Sequence, residues 1–206
     1  MEAGREAVFA LKFRARLFHV RRVEGPDMSH RYAELAFTPA VKAAQEHYGT
    51  RIENERRSHD AGPNDVLDSR EIAFIARRDS FYLASVSETG WPYVQHRGGP
   101  TGFLKVLDPT HLAFADFRGN KQYISLGNIA GNDRVALFLM DYPNRLRLKI
   151  LGRLSMRDVA DAEPELVEQL RPYPYRAAME RVATIAVEAY DWNCSQQITP
   201  RYSVTQ

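Results

Sequence analysis

Short segments with the hydrophobic pattern of β-strands follow one another from residue 80 onward, and they constrain the fold of this chain more than any other feature. Residues 80–87 are rich in β-forming side chains and end at a Glu-Thr-Gly turn, after which residues 92–96 return as a partner strand. Residues 145–150 alternate between basic and apolar side chains, whereas residues 134–140 are apolar on both faces, which is typical of a central strand or of one at a subunit interface. Hairpin-connected strands favour a closed antiparallel barrel over a parallel sheet. We therefore predict a mainly β fold with flanking helices, built on a six-stranded antiparallel barrel.

Helix signals flank and interrupt these strands. Residues 38–48 begin with a capping threonine followed by a proline, and they end just before Gly49. Asp68 or Ser69 is placed to cap a second helix that runs to Ala76, with Ile72 and Ile75 facing inward. The remaining predictions are helices at residues 121–130, 161–170 and 175–181, and a polar surface loop at residues 51–65.

Composition describes an ordinary globular chain and excludes several classes of function. Of the 206 residues, 44% are apolar and 26% are charged, and the net charge of +2 is too small to indicate a nucleic-acid partner. No apolar run approaches the roughly 20 residues that a membrane-spanning helix needs. The single cysteine, Cys194, excludes an internal disulfide and a zinc site built on several thiolates. We expect a cytoplasmic protein with neither a membrane nor a nucleic-acid partner.

The chain divides into three parts by composition. Residues 1–27 form a basic N-terminal extension in which arginines interleave with aromatic and aliphatic side chains, and translation from Met28 is an alternative start. Residues 28–78 contain the first helices and the polar loop. Residues 79–206 contain the predicted barrel, which we take as the functional domain.

A candidate phosphate site lies where the strand at residues 112–115 gives way to a glycine-containing turn and then to a helix that opens near Asn120. Backbone N–H groups and the helix dipole stabilise an anion at a helix start. Arg118 and Lys121 add full positive charges, Asn120 is a candidate N-cap, and Ser125 lies one turn further along the helix. The alternative is a loop with ordinary surface charges, since short glycine motifs are frequent.

Motifs of the common catalytic classes are absent: there is no G-x-S-x-G elbow, no Walker loop and no H-E-x-x-H zinc motif. His96 and His111 have no partner at metal-ligand spacing, so no metal site is predicted. Cys194 has no assignable base. Trp192 is either a flat surface for a ring or a core residue. A binding site without its own acid–base residues suits a cofactor that supplies the reactivity itself.

Three runs of sequence carry a family resemblance: FYLASVSETGWPYVQHRGGPTGFLKVLD, LAFADFRGNKQYISLGNIAGNDRVALFLMDY and RLRLKILGRL. Together they resemble the pyridoxamine 5'-phosphate oxidase-like family of FMN-binding split barrels, over about residues 80–156, and the ending DWNCSQQITPR is similar to one subgroup. The resemblance implies a six-stranded split barrel that forms a homodimer, with two FMN sites at the subunit interface. It also implies that residues 134–140 serve dimer contacts.

The resemblance further implies which residues contact FMN. The flavin-edge strand would include His96, Arg97, Phe103, Leu104 and Lys105. Ala115 and Asp116 would lie at the strand end beside the ring. The phosphate site would comprise Arg118, Asn120, Lys121 and Ser125. Arg147 would lie near the flavin. Two late residues, Trp192 and Arg201, would reach the FMN of the partner subunit.

The oxidase's substrate-phosphate signature, a tyrosine, an arginine and a serine at helical spacing, is not present, and neither is its late arginine-x-histidine pair. The Gly98-Gly99-Pro100 insertion also separates Arg97 from Lys105 by more than the oxidase pattern does. We therefore expect an FMN-dependent oxidoreductase that transfers hydride or electrons to or from another small molecule. The main alternative is a non-catalytic flavin- or haem-binding module. A basic nucleic-acid binder, resting on the N-terminal arginines and the basic face of residues 145–149, is less favoured.

Overall fold

A computed structural model describes residues 30–60, 62–172, 174–192 and 196–202. The predicted extension at residues 1–27, the alternative start at Met28 and the side chain of Cys194 lie outside these residues. None of the helices in the described part has the length and apolar character needed to cross a membrane. The same residues contain no cluster of three or more His, Cys, Asp or Glu side chains suited to a metal ion.

Within the described residues seven strands form one sheet, where six were expected. Their bounds are β1 Ser80–Val86, β2 Pro92–Gly98, β3 Lys105–Asp108, β4 His111–Phe117, β5 Arg134–Asp141, β6 Leu146–Asp158 and β7 Met179–Trp192. The strand order is β2-β1-β5-β6-β7-β4-β3, and every neighbouring pair is antiparallel. The prediction of a mainly β antiparallel fold is confirmed, and the strand count was wrong by one.

The sheet curls so strongly that side chains on its inner face contact one another across the barrel. The ring of Phe81 on β1 lies 5.3 Å from that of Phe114 on β4, although four strand spacings separate β1 from β4 in the sheet order. In a flat sheet those strands would be about 19 Å apart, at about 4.8 Å per spacing. Only the edge strands β2 and β3 have no partner on one side within the described residues. An open seam of this kind is consistent with a split barrel.

The two strand patterns singled out in the sequence occupy the positions that their residues favour. In β6, Leu148 and Ile150 are fully buried, while Arg147 and Lys149 lie on the outer face. In β5, Val135, Leu137 and Leu139 enter the core, and the strand lies between β1 and β6, so it is a central strand as predicted. The outer face of β5 carries Ala136 and Phe138, which are half-buried.

The part of the chain that the structure describes also contains six α-helices: α1 Arg31–Ala36, α2 Pro39–His47, α3 Arg51–Asp60, α4 Ser69–Ile75, α5 Ile124–Gly131 and α6 Pro164–Leu170. The capping predictions for two of them are confirmed. The side chain of Thr38 accepts a hydrogen bond from the backbone N–H of Val41 at the start of α2. Asp68 forms a reciprocal capping box with Glu71 at the start of α4.

Three local predictions were wrong. The expected surface loop at residues 51–65 contains α3, in which Arg51–Glu55 and Glu53–Arg57 ion pairs join successive turns of an otherwise polar helix. The expected helix at residues 175–181 is not formed, because its end enters the sheet as the start of β7, where Met179 pairs with Phe117. In α4, Phe74 is buried in place of Ile72, whose side chain is 36% exposed.

A buried ion pair joins the end of α4 to the end of β5. Arg78 Nη2 lies 2.9 Å from Asp141 Oδ2, with the two side chains only 12% and 7% exposed. Arg78 also donates to the backbone oxygens of Phe74 and Met140, at 3.2 and 2.8 Å. Burial by itself would raise the pKa of Asp141, but hydrogen bonds from Asn144 and the charge of Arg78 outweigh it and hold this pKa below its ordinary value of 3.8.

The Asp141→Asn variant is expected to lose about 3 kcal/mol of unfolding free energy at pH 7, because Arg78 then stays buried without a countercharge. Since the pKa of Asp141 is lower in the folded chain than in the unfolded chain, the stabilisation is present above about pH 4 and is lost as the pH falls through the folded pKa. The difference between wild type and variant, measured by urea unfolding, should therefore shrink in acid. The matched control is Asp60→Asn at an exposed position. A difference that stays constant from pH 7 into acid would contradict the assignment.

Candidate functional site

The strand–turn–helix segment that was predicted to bind phosphate borders a cleft. Its other walls are the inner face of β2, the end of β4 and the start of β7. The cleft has an empty volume of about 430 Å³, which includes its open mouth. Gly119, Asn120, Lys121 and Ser125 all line it, so the predicted segment faces a cavity and not bulk surface.

Strand β2 presents only every second side chain to this cleft. Tyr93, Gln95 and Arg97 line it, as the two-residue period of a strand requires. His96 points to the opposite face, where its ring lies 5.7 Å from that of Tyr82. The predicted site residue His96 is therefore not brought to the cleft, while Gln95 was missed. The signal for Gln95 was available, because it is two residues from Arg97 on the same strand.

Asp116, on β4, holds two arginines that come from opposite sides of the cleft. Its Oδ1 accepts a hydrogen bond from Arg97 Nη1 at 2.5 Å, and its Oδ2 accepts one from Arg181 Nε at 2.9 Å. All three side chains are at most 15% exposed. Arg181 is the direct cross-strand neighbour of Asp116 in the β4–β7 pair. No local pattern in the sequence indicates Arg181, since its role depends on a pairing across 65 residues of chain.

The ion pairs continue from Arg181 to the mouth of the cleft. Glu180 accepts hydrogen bonds from Arg181 Nη2 at 3.0 Å and from Arg118 Nε at 2.9 Å. The hydrogen bond from Arg118, with further help from the charges of Arg181 and Arg118, lowers the pKa of Glu180 below its ordinary value. Burial would lower the pKa of Arg181, but Asp116 and Glu180 outweigh this effect and raise it. Arg118 does not itself line the cleft, but Arg97, Arg181 and Lys121 line it together with Asp116 and Glu180, which leaves the lining with one net positive charge.

One buried donor in this network has no acceptor. Arg97 Nε is inaccessible to solvent and makes no hydrogen bond within the described part of the chain. A buried donor without a partner is uncommon in proteins. Because Arg97 lines the cleft, an acceptor on a bound ligand is a simple way to satisfy this group, and the positive charge of the cleft favours an anionic ligand.

The loop between β4 and α5 differs in detail from the prediction. Helix α5 begins at Ile124, not near Asn120, because Lys121 and Tyr123 adopt left-handed backbone conformations, with φ of 59° and 53°. Asn120 is therefore not the helix cap, and its side chain instead bonds Gln122. The start of α5 has no side-chain cap. Left-handed non-glycine residues carry a conformational cost and occur often at ligand sites.

Ser125 connects the helix to β2 at the floor of the cleft. The side chain is only 3% exposed, and its hydroxyl donates to Gln95 Oε1 at 3.0 Å. Because the amide oxygen of Gln95 is engaged in this way, its NH₂ group is the part left to donate into the cleft. Ser125 thus orients a neighbouring side chain in addition to lining the cavity.

Other predicted site residues lie away from the cleft within one chain. Phe103 and Leu104 belong to the barrel core, and Ala115 packs with Val167 and Leu170 of α6. Lys105 opens the edge strand β3, opposite Ala113. None of these four residues lines the cleft. Their assignment to the cofactor stays a prediction.

The three residues that were predicted to contact FMN from outside the phosphate site and the flavin-edge strand also lie outside the cleft. Trp192 Nε1 donates to buried Glu71 at 2.5 Å, and its ring meets Phe74 edge-on at 4.8 Å. The guanidinium of Arg201 lies 5.0 Å from the ring of Tyr142. Arg147 lies on the outer face of the sheet, 5.8 Å from the ring of Phe138, and its Nε is buried without a partner among the described residues. None of the three lines the cleft, and their assignment to the cofactor stays a prediction.

Comparison with known proteins agrees with this architecture. A family model described as pyridoxamine 5'-phosphate oxidase matches residues 67–193, more than half of the chain. No curated protein matches the chain. Similar solved structures include HupZ of Group A Streptococcus, with 14% identity over 66% of this chain and 100% of that chain at a TM-score of 0.49. A putative pyridoxamine 5'-phosphate oxidase of Lactobacillus delbrueckii has 21% identity over 62% of this chain and 94% of that chain, with a TM-score of 0.47.

Proposed function

Because the chain belongs to the pyridoxamine 5'-phosphate oxidase family, we propose that it binds FMN in the cleft and transfers hydride or electrons to or from a small molecule. The observation that carries the proposal is the buried, unpartnered Nε of Arg97 in a cation-lined cleft. FMN offers that donor an acceptor, and its phosphate suits the positive charge. When bound, FMN supplies the redox chemistry.

The phosphate of the cofactor would lie at the loop between β4 and α5. Lys121 has an exposed ammonium at the cleft, and Arg118 is oriented by Glu180. The uncapped start of α5 adds backbone N–H groups to the same region. Glu180 holds Arg118 in place before the ligand arrives, which reduces the entropy lost on binding.

The deeper part of the cleft would orient the remainder of the cofactor. Asp116 fixes Arg97 and Arg181 in one arrangement, and Ser125 fixes the amide of Gln95. The donors of Gln95 and Arg97 thereby face acceptor atoms on a bound ligand. Positive charge near the cofactor stabilises added electrons, since electrostatic interactions are stronger in a partly buried site than in water.

The chain's proposed assembly is a homodimer. The outer face of β1, β2 and β5 forms an apolar groove lined by Tyr82, Ala84, Val94, Ala136 and Phe138. Val94 is 60% exposed, and the groove has an empty volume of about 690 Å³. Contiguous exposed apolar surface is typical of a protein–protein contact. Docking of a second copy on this face would also cover Phe138 and the adjacent Arg147, and would give Arg147 a route to the partner's FMN.

A second candidate is a flavin- or haem-binding module without turnover, which likewise needs no general base. Asp116 and Glu180 are the carboxylates that line the cleft, and each is ion-paired with arginines. Neither is therefore free to act as a general base. Reduction of the bound flavin by NADH or NADPH, followed by reoxidation by an acceptor, supports the oxidoreductase; retention of flavin without turnover supports the module.

The Lys121→Glu variant tests the phosphate assignment. Reversing this charge is expected to weaken FMN binding about a hundredfold, equivalent to about 3 kcal/mol, because a charge-assisted contact becomes a repulsion. Binding of riboflavin, which lacks the phosphate, should change little. Both affinities are measured by quenching of flavin fluorescence.

The matched control is Lys42→Glu on α2, an equally drastic change at an exposed lysine outside the cleft. Unchanged FMN affinity in Lys121→Glu would remove the phosphate site from this loop. An equal loss of FMN and riboflavin would point to damage of the cleft as a whole.

A further inference from the structure

A second and larger cavity lies at the start of β1. It is bounded by the segment that joins α4 to β1, by the turn between β5 and β6, and by Arg201 near the end of the described chain. Its empty volume is about 1230 Å³, including the open mouth, and it shares no lining residue with the cleft. We call it the arginine–tyrosine cavity, after Arg77, Arg201, Tyr82 and Tyr142.

Some of the charged side chains that line this cavity are ion-paired, and others are not. Arg78 and Asp141 satisfy each other in the buried ion pair described above. Arg77 and Arg201 are exposed and make no ion pair with any described residue. Asp79 is the remaining acidic group, and its carboxylate accepts a hydrogen bond from the hydroxyl of Ser80 at 2.9 Å. The lining therefore carries one more positive than negative group, and its two unpaired guanidinium groups suit an anion.

The two tyrosines supply flat surfaces and hydrogen-bond donors. Burial, together with the neighbouring side chain of Tyr82, raises the pKa of Tyr142 despite the opposing charge of Arg201. The hydroxyl of Tyr142 therefore keeps its proton at neutral pH. The guanidinium of Arg201 lies 5.0 Å from the ring of Tyr142, which places a cation beside an aromatic face.

We propose that the arginine–tyrosine cavity binds a small planar organic anion, separate from the flavin. Its carboxylate or phosphate group would contact Arg77 and Arg201, and its planar body would lie against Tyr82 and Tyr142. Ligand sites of roughly 300–1,000 Å³ are common, and they combine apolar or aromatic walls with a few polar groups. The proposal gives Arg201 a role in its own subunit, in contrast to the cross-subunit FMN contact implied by the family resemblance.

Titration calorimetry of the full chain with benzoate tests the proposal. Wild type is expected to bind benzoate more tightly than cyclohexanecarboxylate, which has the same charge but no planar ring. Arg201→Ala and Arg77→Ala should each weaken benzoate binding at least tenfold. Arg171→Ala, which removes an exposed arginine paired with Glu168, should leave it unchanged.

Lys121→Glu separates this proposal from that of the FMN cleft. Benzoate binding should persist in this variant even if its affinity for FMN is lost. No benzoate binding by wild type, equal binding in Arg201→Ala and Arg77→Ala, or loss of binding in Lys121→Glu would each overturn the proposal. Displacement of benzoate by FMN in Lys121→Glu would also overturn it, because the cavity would then be part of the flavin site.

Discussion

Replacing Asp116 with alanine is expected to lower the free energy of unfolding by about 3–5 kcal/mol, because one buried carboxylate neutralises two buried arginines. Arg97 and Arg181 approach it from different strands, at 2.5 and 2.9 Å, and are 15% and 11% exposed. Without Asp116, two desolvated guanidinium groups would face each other across the floor of the cleft. The chain must then either bear this repulsion or open the end of the barrel to water.

The matched control is Asp133→Ala. Asp133 also pairs with an arginine, Arg153, at 2.9 Å, but both side chains are almost half exposed. Removal of an exposed pair of this kind is expected to cost less than about 1 kcal/mol. Urea unfolding at pH 7 measures both variants. Similar losses in the two would show that burial does not strengthen the Asp116 pairs.

Asp116→Asn separates charge from shape. The amide keeps the size of the carboxylate and one hydrogen-bond acceptor, but not its negative charge. We expect the unfolding free energy of this variant to lie between those of wild type and Asp116→Ala. Since Asp116 also orients Arg97, its FMN affinity should fall as well. An Asp116→Asn variant with wild-type stability would show that geometry and not charge holds the two arginines.

Gly152→Ala is expected to destabilise the barrel by about 3 kcal/mol, at the upper end of the cost of overpacking a core. A Cβ atom at this position would lie 2.6 Å from the backbone oxygen of Ala186 and 2.7 Å from Cγ2 of Ile185. The oxygen cannot rotate away, because it belongs to the neighbouring strand β7. The β6–β7 register shifts between Leu151 and Gly152, so this close approach occurs at an irregularity of the ladder.

Gly127→Ala is the control for this substitution. Gly127 lies inside α5, and a Cβ atom there meets nothing within 4 Å. Alanine is expected to stabilise the chain by up to about 1 kcal/mol, because it restricts the unfolded state and favours the helix. Thermal and urea unfolding measure both variants. Equal stability of Gly152→Ala and wild type would mean that β6 and β7 can separate at the irregularity without cost.

Local signals were sufficient for most secondary structure. The strand period located β1, β2, β4 and β5 to within a few residues, although β6 extends eight residues beyond the predicted 145–150. The capping residues Thr38 and Asp68 located the starts of α2 and α4. They were insufficient where tertiary contacts compete with local preference. Residues 175–181 resemble a helix, yet their last part pairs with β4 and becomes β7. The start of α5 was predicted at the wrong residue because Lys121 and Tyr123 adopt a left-handed backbone conformation, which their residue types do not predict.

The residues of the candidate site also fall into those that local sequence patterns predict and those that depend on tertiary contacts. Lys121, Asn120 and Arg118 are close in sequence and were found together as one loop, and Arg97 could be placed on a strand. Gln95 needed only the strand period, but Arg181 and Glu180 are more than 60 residues from their partners. The position of Arg201 in the arginine–tyrosine cavity likewise depends on how the end of the described chain packs against the turn after β5.

By itself, the sequence determined the strand segments, the capped helices and a basic loop that we predict to bind phosphate. Each of these depends on residues that are close to one another in the sequence. Only the tertiary structure decided that Asp116 holds two arginines, that His96 faces away from the cleft, and that a second cavity exists at the start of β1. The physical reason is the curling of the sheet. The packing of the whole core brings distant strands into contact, and no local sequence pattern predicts these contacts.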